Sequence, residues 1–285
     1  MGECCMELVA ISLQTAVERR SKLRARLAPL GLAWSIRDAS TEPPPDLPYH
    51  SRSAMIDTGR NLGASELGCF ASHYLALRDF VRSSKSTHLM VIEDDVLLDP
   101  GFAFDGLPGL MSSAGIEYLR LYSRFLPRHR ILAGLGSRLL VRFETPAYGT
   151  QAYVVSRHGA GRLIGFINRI SRPIDDEFDR FWRHGLPGYA LFPYPVLELE
   201  SPTTVPKPPP GIGPRTLWLR ALHYWTRVGE KLAKEASNVR LRLGSDRSIR
   251  RTLCAVPPAL AAERASASAL SSVLECKHGG YQSAK

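Results

Sequence analysis

The apolar run LVAISL at residues 8–13 is followed by a charged stretch at 18–30 whose apolar positions recur at helical intervals. A strand feeding a helix is predicted, the opening of an α/β unit. Residues 38–60, with prolines at 43, 44 and 45, read as an irregular loop that can border a ligand. From residue 66 to about residue 82, Leu67, Phe70, Ala71, Tyr74, Leu75, Leu77 and Val81 mark one broad helical face, with Ser65 as N-cap and Glu66 in the first turn. The segment HLMVI at 88–92 is apolar on both alternating faces after its first residue, which predicts a strand buried in the middle of a helix-covered sheet. Further strands are expected at 118–122 and 151–155 and a short helix around 161–168. The rest of the second half is less regular.

The clearest boundary is SPTTVPKPPPG at 201–211, a stiff and extended composition. It divides the chain into a domain at 1–200, a Pro-rich linker at 201–214 and a basic, partly helical extension at 215–285. In that extension Trp218, Leu222, Trp225 and Leu232 form an apolar stripe on a helix that also carries Arg220, Arg227, Lys231 and Lys234. Two readings are open: the stripe anchors the helix at an anionic bilayer surface, or it packs back on the first domain. The final Ala/Ser-rich section holds one more helix or frays. No internal repeat is found.

Composition excludes several classes. Of 285 residues, 44% are hydrophobic and 22% charged, an ordinary balance for a chain with a sizeable core. The net charge of +10 favours anionic partners, and residues 215–252 concentrate it with ten Lys or Arg against three acids. Cysteines at 4, 5, 69, 254 and 276 fit neither a disulfide framework nor a structural zinc site, so a reducing, cytoplasmic setting is expected. The early apolar run is too short for a membrane span and follows acids, so it reads as a strand and not a signal peptide.

The candidate chemistry begins at Glu93-Asp94-Asp95, directly after the apolar strand. Three carboxylates there resist burial and belong at the strand mouth, the edge at which open α/β sheets bind ligands. Mg²⁺ or Mn²⁺ between such carboxylates and a substrate diphosphate would neutralise charge on a departing nucleoside diphosphate. An acidic surface turn fits the same triplet. A second acidic group, Asp175-Asp176-Glu177, can supply a base for an acceptor hydroxyl or simply a solvated helix N-terminus. His73 can contact phosphate or be a packed structural histidine. Neither a phosphate-binding G-x-x-x-x-G-K-[ST] loop nor a G-x-G-x-x-G fingerprint is present.

Taken in order, these segments resemble glycosyltransferase family 25, the lipopolysaccharide and lipooligosaccharide transferases related to collagen galactosyltransferase domains. The likeness covers most of residues 7–199. It rests on the opening strand with Glu18-Arg19-Arg20, on NLGASELGCFASH at 61–73 with Ser65 where a glycine is usual, and on VIEDDV at 91–96. Residues 148–157 with Gly159-Ala160, and Pro173-Ile174-Asp175-Asp176 followed by Asp179-Arg180, complete it.

The resemblance implies a GT-A-like α/β fold, a mixed central sheet flanked by helices. It also implies inverting transfer of a hexose, commonly galactose from UDP-galactose, to a glycan hydroxyl with a divalent cation. On this reading Asp95 ligates the metal with Glu93, while Glu93 and Asp94 orient the metal shell, ribose or donor sugar. Asp176, with Asp175 as runner-up, is the acceptor base. Arg19, Arg20 and His73 are donor contacts, and Gly149 and Thr150 shape the donor pocket.

A lipid-linked oligosaccharide acceptor would give the basic extension a purpose, holding a cytoplasmic enzyme at the inner face of the membrane. The competing reading is a non-catalytic nucleotide-sugar or carbohydrate-binding protein of the same fold. A nucleic-acid-binding module is disfavoured, because the positive charge is tail-weighted and no reading element accompanies it.

Overall fold

A computed structural model describes residues 5–199 and 217–255, so the Pro-rich linker and the Ala/Ser-rich end lie outside the described residues. The chain opens with β1 (Met6–Ser12), α1 (Val17–Leu27) and β2 (Trp34–Asp38), followed by α2 (Ser51–Thr58), α3 (Ala64–Ser83), β3 (His88–Glu93) and β4 (Val96–Leu98). Next come α4 (Leu107–Ala114), β5 (Tyr118–Arg120), the hairpin strands β6 (His129–Leu135) and β7 (Arg138–Phe143), β8 (Ala152–Ser156) and α5 (Arg157–Phe166). The short helices α6 (Ile174–Phe178) and α7 (Phe181–His184) precede β9 (Tyr189–Phe192) and β10 (Val196–Glu198), and α8 (Leu217–Leu243) and α9 (Ser245–Ala255) close the described chain.

Eight strands form one mixed sheet in the order β2-β1-β3-β8-β5-β9-β7-β6, and β4 pairs with β10 in a small antiparallel ribbon. The β2-β1-β3 portion is parallel. Alternation within β1 and β3 explains the continuous apolar runs: Leu8, Ala10, Met90 and Ile92 face a core shared with α1, α4 and α9. Val9, Ile11, Leu89 and Val91 face the other core, under α3, α5 and α6. Both faces are covered, as expected for such strands.

The register sets up the site. Strand β3 runs antiparallel to β8 with Ile92 opposite Ala152, so the residues leaving β3 lie beside those entering β8. The Glu93 N–H donates to the Gln151 carbonyl at 2.8 Å, fixing that juxtaposition.

Two sequence expectations are corrected, and a choice left open is narrowed. The stretch read as a loop at 38–60 contains α2, whose single buried residue, Ala54, leaves little periodic signal. The N-cap of α3 is Gly63 and not Ser65: the Glu66 carboxylate accepts the Gly63 N–H at 2.9 Å, and Ser65 lies inside the first turn. The apolar stripe on α8 is largely exposed: Trp218, Leu222, Trp225 and Leu232 are 52%, 41%, 67% and 67% exposed, with the Trp218 ring 5.4 Å from the Arg52 guanidinium of α2. The helix docks through a different, polar face. Arg142, fully buried on β7, donates to both carboxylate oxygens of Asp246 on α9 at 2.7 and 3.1 Å and to Asn238 Oδ1 on α8 at 2.9 Å. Asn238 in turn donates to the Glu144 carbonyl at 2.9 Å. Further along α8, Glu230 accepts from Arg180 at 2.6 Å and from the Trp182 indole, and His223 Nδ1 lies 2.6 Å from the Ile56 carbonyl of α2.

Candidate active site

An open cleft of about 1350 Å³ runs over the carboxyl end of β3, along the turn before β8 and past α6 to α8. Glu93, Asp95, Gly149, Thr150, Asp175 and Asp176 all line it, together with Arg19. The two acidic motifs, separated by some eighty positions in sequence, therefore share one cavity.

Asp95 is the most exceptional carboxylate. Its side chain is 18% exposed, and its Oδ2 accepts from Arg19 at 2.9 Å. Oδ1 is buried and has no hydrogen-bond partner. Burial, then the neighbouring Glu93, push the Asp95 carboxyl up from an ordinary 3.8 to about 6; Arg19 opposes the shift and Asp94 adds to it. A desolvated carboxylate with one unpartnered oxygen and two acidic neighbours offers hard oxygen ligands of the kind that suit a divalent ion such as Mg²⁺ or Mn²⁺.

Glu93 stands at the cleft wall with the Thr150 hydroxyl 3.4 Å from its Oε1. Behind it, His73 is 1% exposed; its Nε2 lies 3.5 Å from Glu93 Oε1 and its Nδ1 3.2 Å from the Tyr153 hydroxyl. Cys69, His73 and Glu93 could also gather around a metal, with ligand atoms within 4.8 Å of one another. Burial and the charges of Glu93 and Asp175 push the Cys69 thiol well up, however, and a protonated thiol is a poor ligand for a hard cation.

Three expected donor contacts stand behind the cleft wall instead of on it. Asp94 is buried, accepts from the Ser12 hydroxyl at 2.6 Å and pairs with Arg19. Arg20 donates to the Ser12 carbonyl at 2.7 Å and to Asp38 at 2.5 Å. His73 packs between α3 and the sheet. These residues hold the acidic turn in place from the inner side. Gly68, in the same helical motif, is required for packing, since a Cβ there would meet the Ser40 carbonyl oxygen at 2.8 Å.

The turn before β8 has its own support, unforeseen from sequence. Tyr148 and Gly149 have φ of 55° and 86°, both left-handed. Asp179 Oδ2 accepts the N–H groups of Ala147 and Tyr148 at 2.8 Å each, and its Oδ1 accepts from buried Arg120 at 2.6 Å. Arg120 also donates to the Gly149 carbonyl. The available signal was an arginine inside the apolar strand segment YLRLY at 118–122.

In the second motif, Asp175 has both oxygens engaged: Oδ2 accepts the Gly149 N–H at 3.1 Å and Oδ1 accepts the Asp176 N–H at 2.9 Å. Asp176 is freer, with one contact to Arg172 at 3.4 Å. Burial pushes the Asp176 carboxyl up from its ordinary value, while Arg172 draws it down. The cleft is completed by residues that no motif announced, including Glu198, Trp182 and, on α8, Arg227, Lys231 and Lys234. No helix among the described residues is long and apolar enough to cross a membrane.

Three solved structures show a distant likeness to this chain. Protein A197 from STIV has 10% identity and a TM-score of 0.36, covering 71% of this chain and 98% of that one. A glycosyltransferase involved in glycosylation of the major capsid of PBCV-1 has 8% identity and a TM-score of 0.32, covering 57% and 66% respectively. A mutant Drosophila beta-1,4-galactosyltransferase 7 complexed with manganese, UDP-Gal and xylobiose has 10% identity and a TM-score of 0.33, covering 65% and 64%. This chain thus spans just under two thirds of the last two, and likenesses this distant say nothing about substrate. No curated protein matches the chain. The model of glycosyltransferase family 25 (LPS biosynthesis protein) matches residues 6–178, more than half of the sequence. The chain belongs to glycosyltransferase family 25, a family of sugar transferases, and its mixed sheet between helices is GT-A-like.

Proposed function

We propose that the cleft transfers a hexose, galactose from UDP-galactose in the first instance, with inversion to a hydroxyl of a lipooligosaccharide or related glycan. The observation that carries this reading is the buried, unpartnered Oδ1 of Asp95 at the mouth of β3, beside Glu93 and in one cavity with Asp175 and Asp176. Asp95 and Glu93 would hold Mn²⁺ or Mg²⁺, which when bound supplies positive charge to the diphosphate of the donor. Arg19 adds a fixed cation on the same side, and Gly149 and Thr150 bound the donor pocket.

Asp176 acts as the base. It takes the proton from the acceptor hydroxyl as that oxygen bonds to the anomeric carbon and the bond from that carbon to the diphosphate breaks, releasing UDP. Two features favour it over Asp175, which lines the same cleft: its carboxylate is less engaged in backbone hydrogen bonds, and burial raises its basicity.

A cytoplasmic enzyme with a lipid-linked acceptor would work at the inner membrane face. The exposed Trp218, Trp225 and Leu232 on basic α8 support peripheral attachment there. Salt-sensitive co-sedimentation with phosphatidylglycerol vesicles tests this; no binding at low salt removes the membrane part alone.

Turnover separates the transferase from a non-catalytic sugar-binding protein of the same fold. Incubation with UDP-sugars, Mn²⁺ and glycan acceptors should release UDP and extend an acceptor. Tight UDP binding without either product would favour the binding protein.

A further inference from the structure

The cleft wall contributed by α8 has an electrostatic character of its own. Arg227, Lys231 and Lys234 follow each other at spacings of four and three, which puts them on one helical face, and all three line the cleft. Of the five other arginines of the wall, four are neutralised: Arg19 by Asp94 and Asp95, Arg60 by Glu66, Arg172 by Asp57 and Asp176, and Arg180 by Glu177 and Glu230, while the fifth, Arg124, stands beside Tyr122. Among the described residues, none forms an ion pair with Arg227, Lys231 or Lys234. The ammonium of Lys234 lies 5.8 Å from the centre of the Trp182 ring, which also lines the cleft. Partial burial pushes that ammonium below its ordinary value; Glu235 opposes the shift, and the repelling charges of Arg128 and Lys231 add to it.

Like charges on one helical face repel, and an unpaired cluster lining a cleft, here with Arg227 and Lys231 exposed and Lys234 half-buried, attracts an anion. The cluster stands beside an aromatic ring of the kind that stacks on the apolar face of a sugar. It also stands beyond residue 178, where the family match ends. We infer that this face of α8 is an acceptor subsite for an anionic sugar, phosphorylated or carboxylated, held by Arg227, Lys231 and Lys234 against Trp182. The role as acceptor subsite rests on the transferase reading; the anion selectivity does not.

Equilibrium binding to the full chain with saturating UDP, followed by ligand-observed NMR, tests it with glucose 6-phosphate, glucuronic acid, glucose and inorganic phosphate at matched ionic strength. The two acidic sugars should bind about tenfold more tightly than glucose, and glucose 6-phosphate more tightly than inorganic phosphate. Combined Arg227→Gln, Lys231→Gln and Lys234→Gln should erase the preference while UDP affinity and the melting temperature hold; Arg227→Lys alone should keep it. Equal binding of glucose and its phosphate overturns the subsite. Binding of inorganic phosphate as tight as the sugar phosphate reduces it to an anion site and also overturns it. Loss of phosphatidylglycerol vesicle binding in the triple variant, with no sugar preference in the parent, reassigns the cluster to lipid headgroups. Anionic-sugar preference without any sugar transfer would remove the transferase reading and leave the selectivity standing. Transfer at equal rates to neutral and phosphorylated acceptors would remove the subsite alone.

Discussion

Replacing Asp95 by asparagine should stabilise the metal-free protein while removing its response to a divalent cation and UDP. Burial and like charge raise the Asp95 carboxyl from 3.8 to about 6, so folding opposes its ionisation. The sign follows from the proton count. Below pH 3.8 the group is protonated in both folded and unfolded chains and costs nothing; the penalty grows between the two values and is complete above about 6. At about 1.4 kcal/mol per unit, the difference amounts to about 3 kcal/mol at most at pH 7. Loss of the Arg19 contact at 2.9 Å takes some of this back. For a chain of this size about 1 kcal/mol moves Tm by about 2–4 °C, so Asp95→Asn should melt several degrees higher in EDTA at pH 7. At pH 4 the two proteins should converge. With Mn²⁺ and UDP at about 100 times Kd the parent should gain about 2.7 kcal/mol and the variant little, reversing their order. Scanning calorimetry over this grid of pH and ligand is the assay. A variant that melts with the parent in EDTA at pH 7, or that keeps the full gain from Mn²⁺ and UDP, would refute the reasoning.

Four further outcomes are expected. Asp176→Asn should retain UDP binding by calorimetry and lose about 10²–10⁴-fold in kcat, the usual worth of a general base; transfer at the parental rate would remove Asp176 from that role. Gly149→Ala forces a side chain onto a φ of 86° with Cβ 2.6 Å from Gln151 Oε1, and should lower stability by about 1–3 kcal/mol in urea while raising the donor KM. Asp246→Ala removes the two-point carboxylate partner of the buried Arg142 guanidinium, leaving Glu144 at 3.5 Å, and should cost up to about 3–5 kcal/mol, read as a large fall in Tm. Mn²⁺-dependent UDP binding should weaken as pH falls through about 6, because a proton and the cation compete for Asp95.

The sequence disclosed the parts whose physics is periodic. The continuous apolar run of β3 required a central strand and the acids after it a strand mouth; the strand, Glu93 and Asp95 stand where the pattern put them, while Asp94 is buried against Ser12 and Arg19. The helix α3 was legible for the same reason. What escaped was held by polar contacts. Helix α8 docks through His223, Glu230 and Asn238, a face invisible to hydrophobic periodicity, and its apolar stripe points to solvent. The β6–β7 hairpin hides its alternation behind a register shift between Ile131 and Ala133. Arg120 and Asp179, 59 positions apart, meet only after the sheet has formed, so their hold on residues 147–149 had no local signature. Residue types alone could name Asp94, Arg20 and His73 as candidates, but only the fold distinguishes the side of the wall on which each lies.

The most direct test of sugar transfer is a panel of UDP-sugars offered with Mn²⁺ and a mixture of lipooligosaccharide-type glycans, scored by mass spectrometry for UDP and extended acceptor together. The expected result is stoichiometric UDP and glycan product from one UDP-hexose, UDP-galactose first, abolished by Asp95→Asn. A folded, UDP-binding protein that turns over no member of the panel, or one whose Asp95→Asn variant transfers at the parental rate, would contradict it.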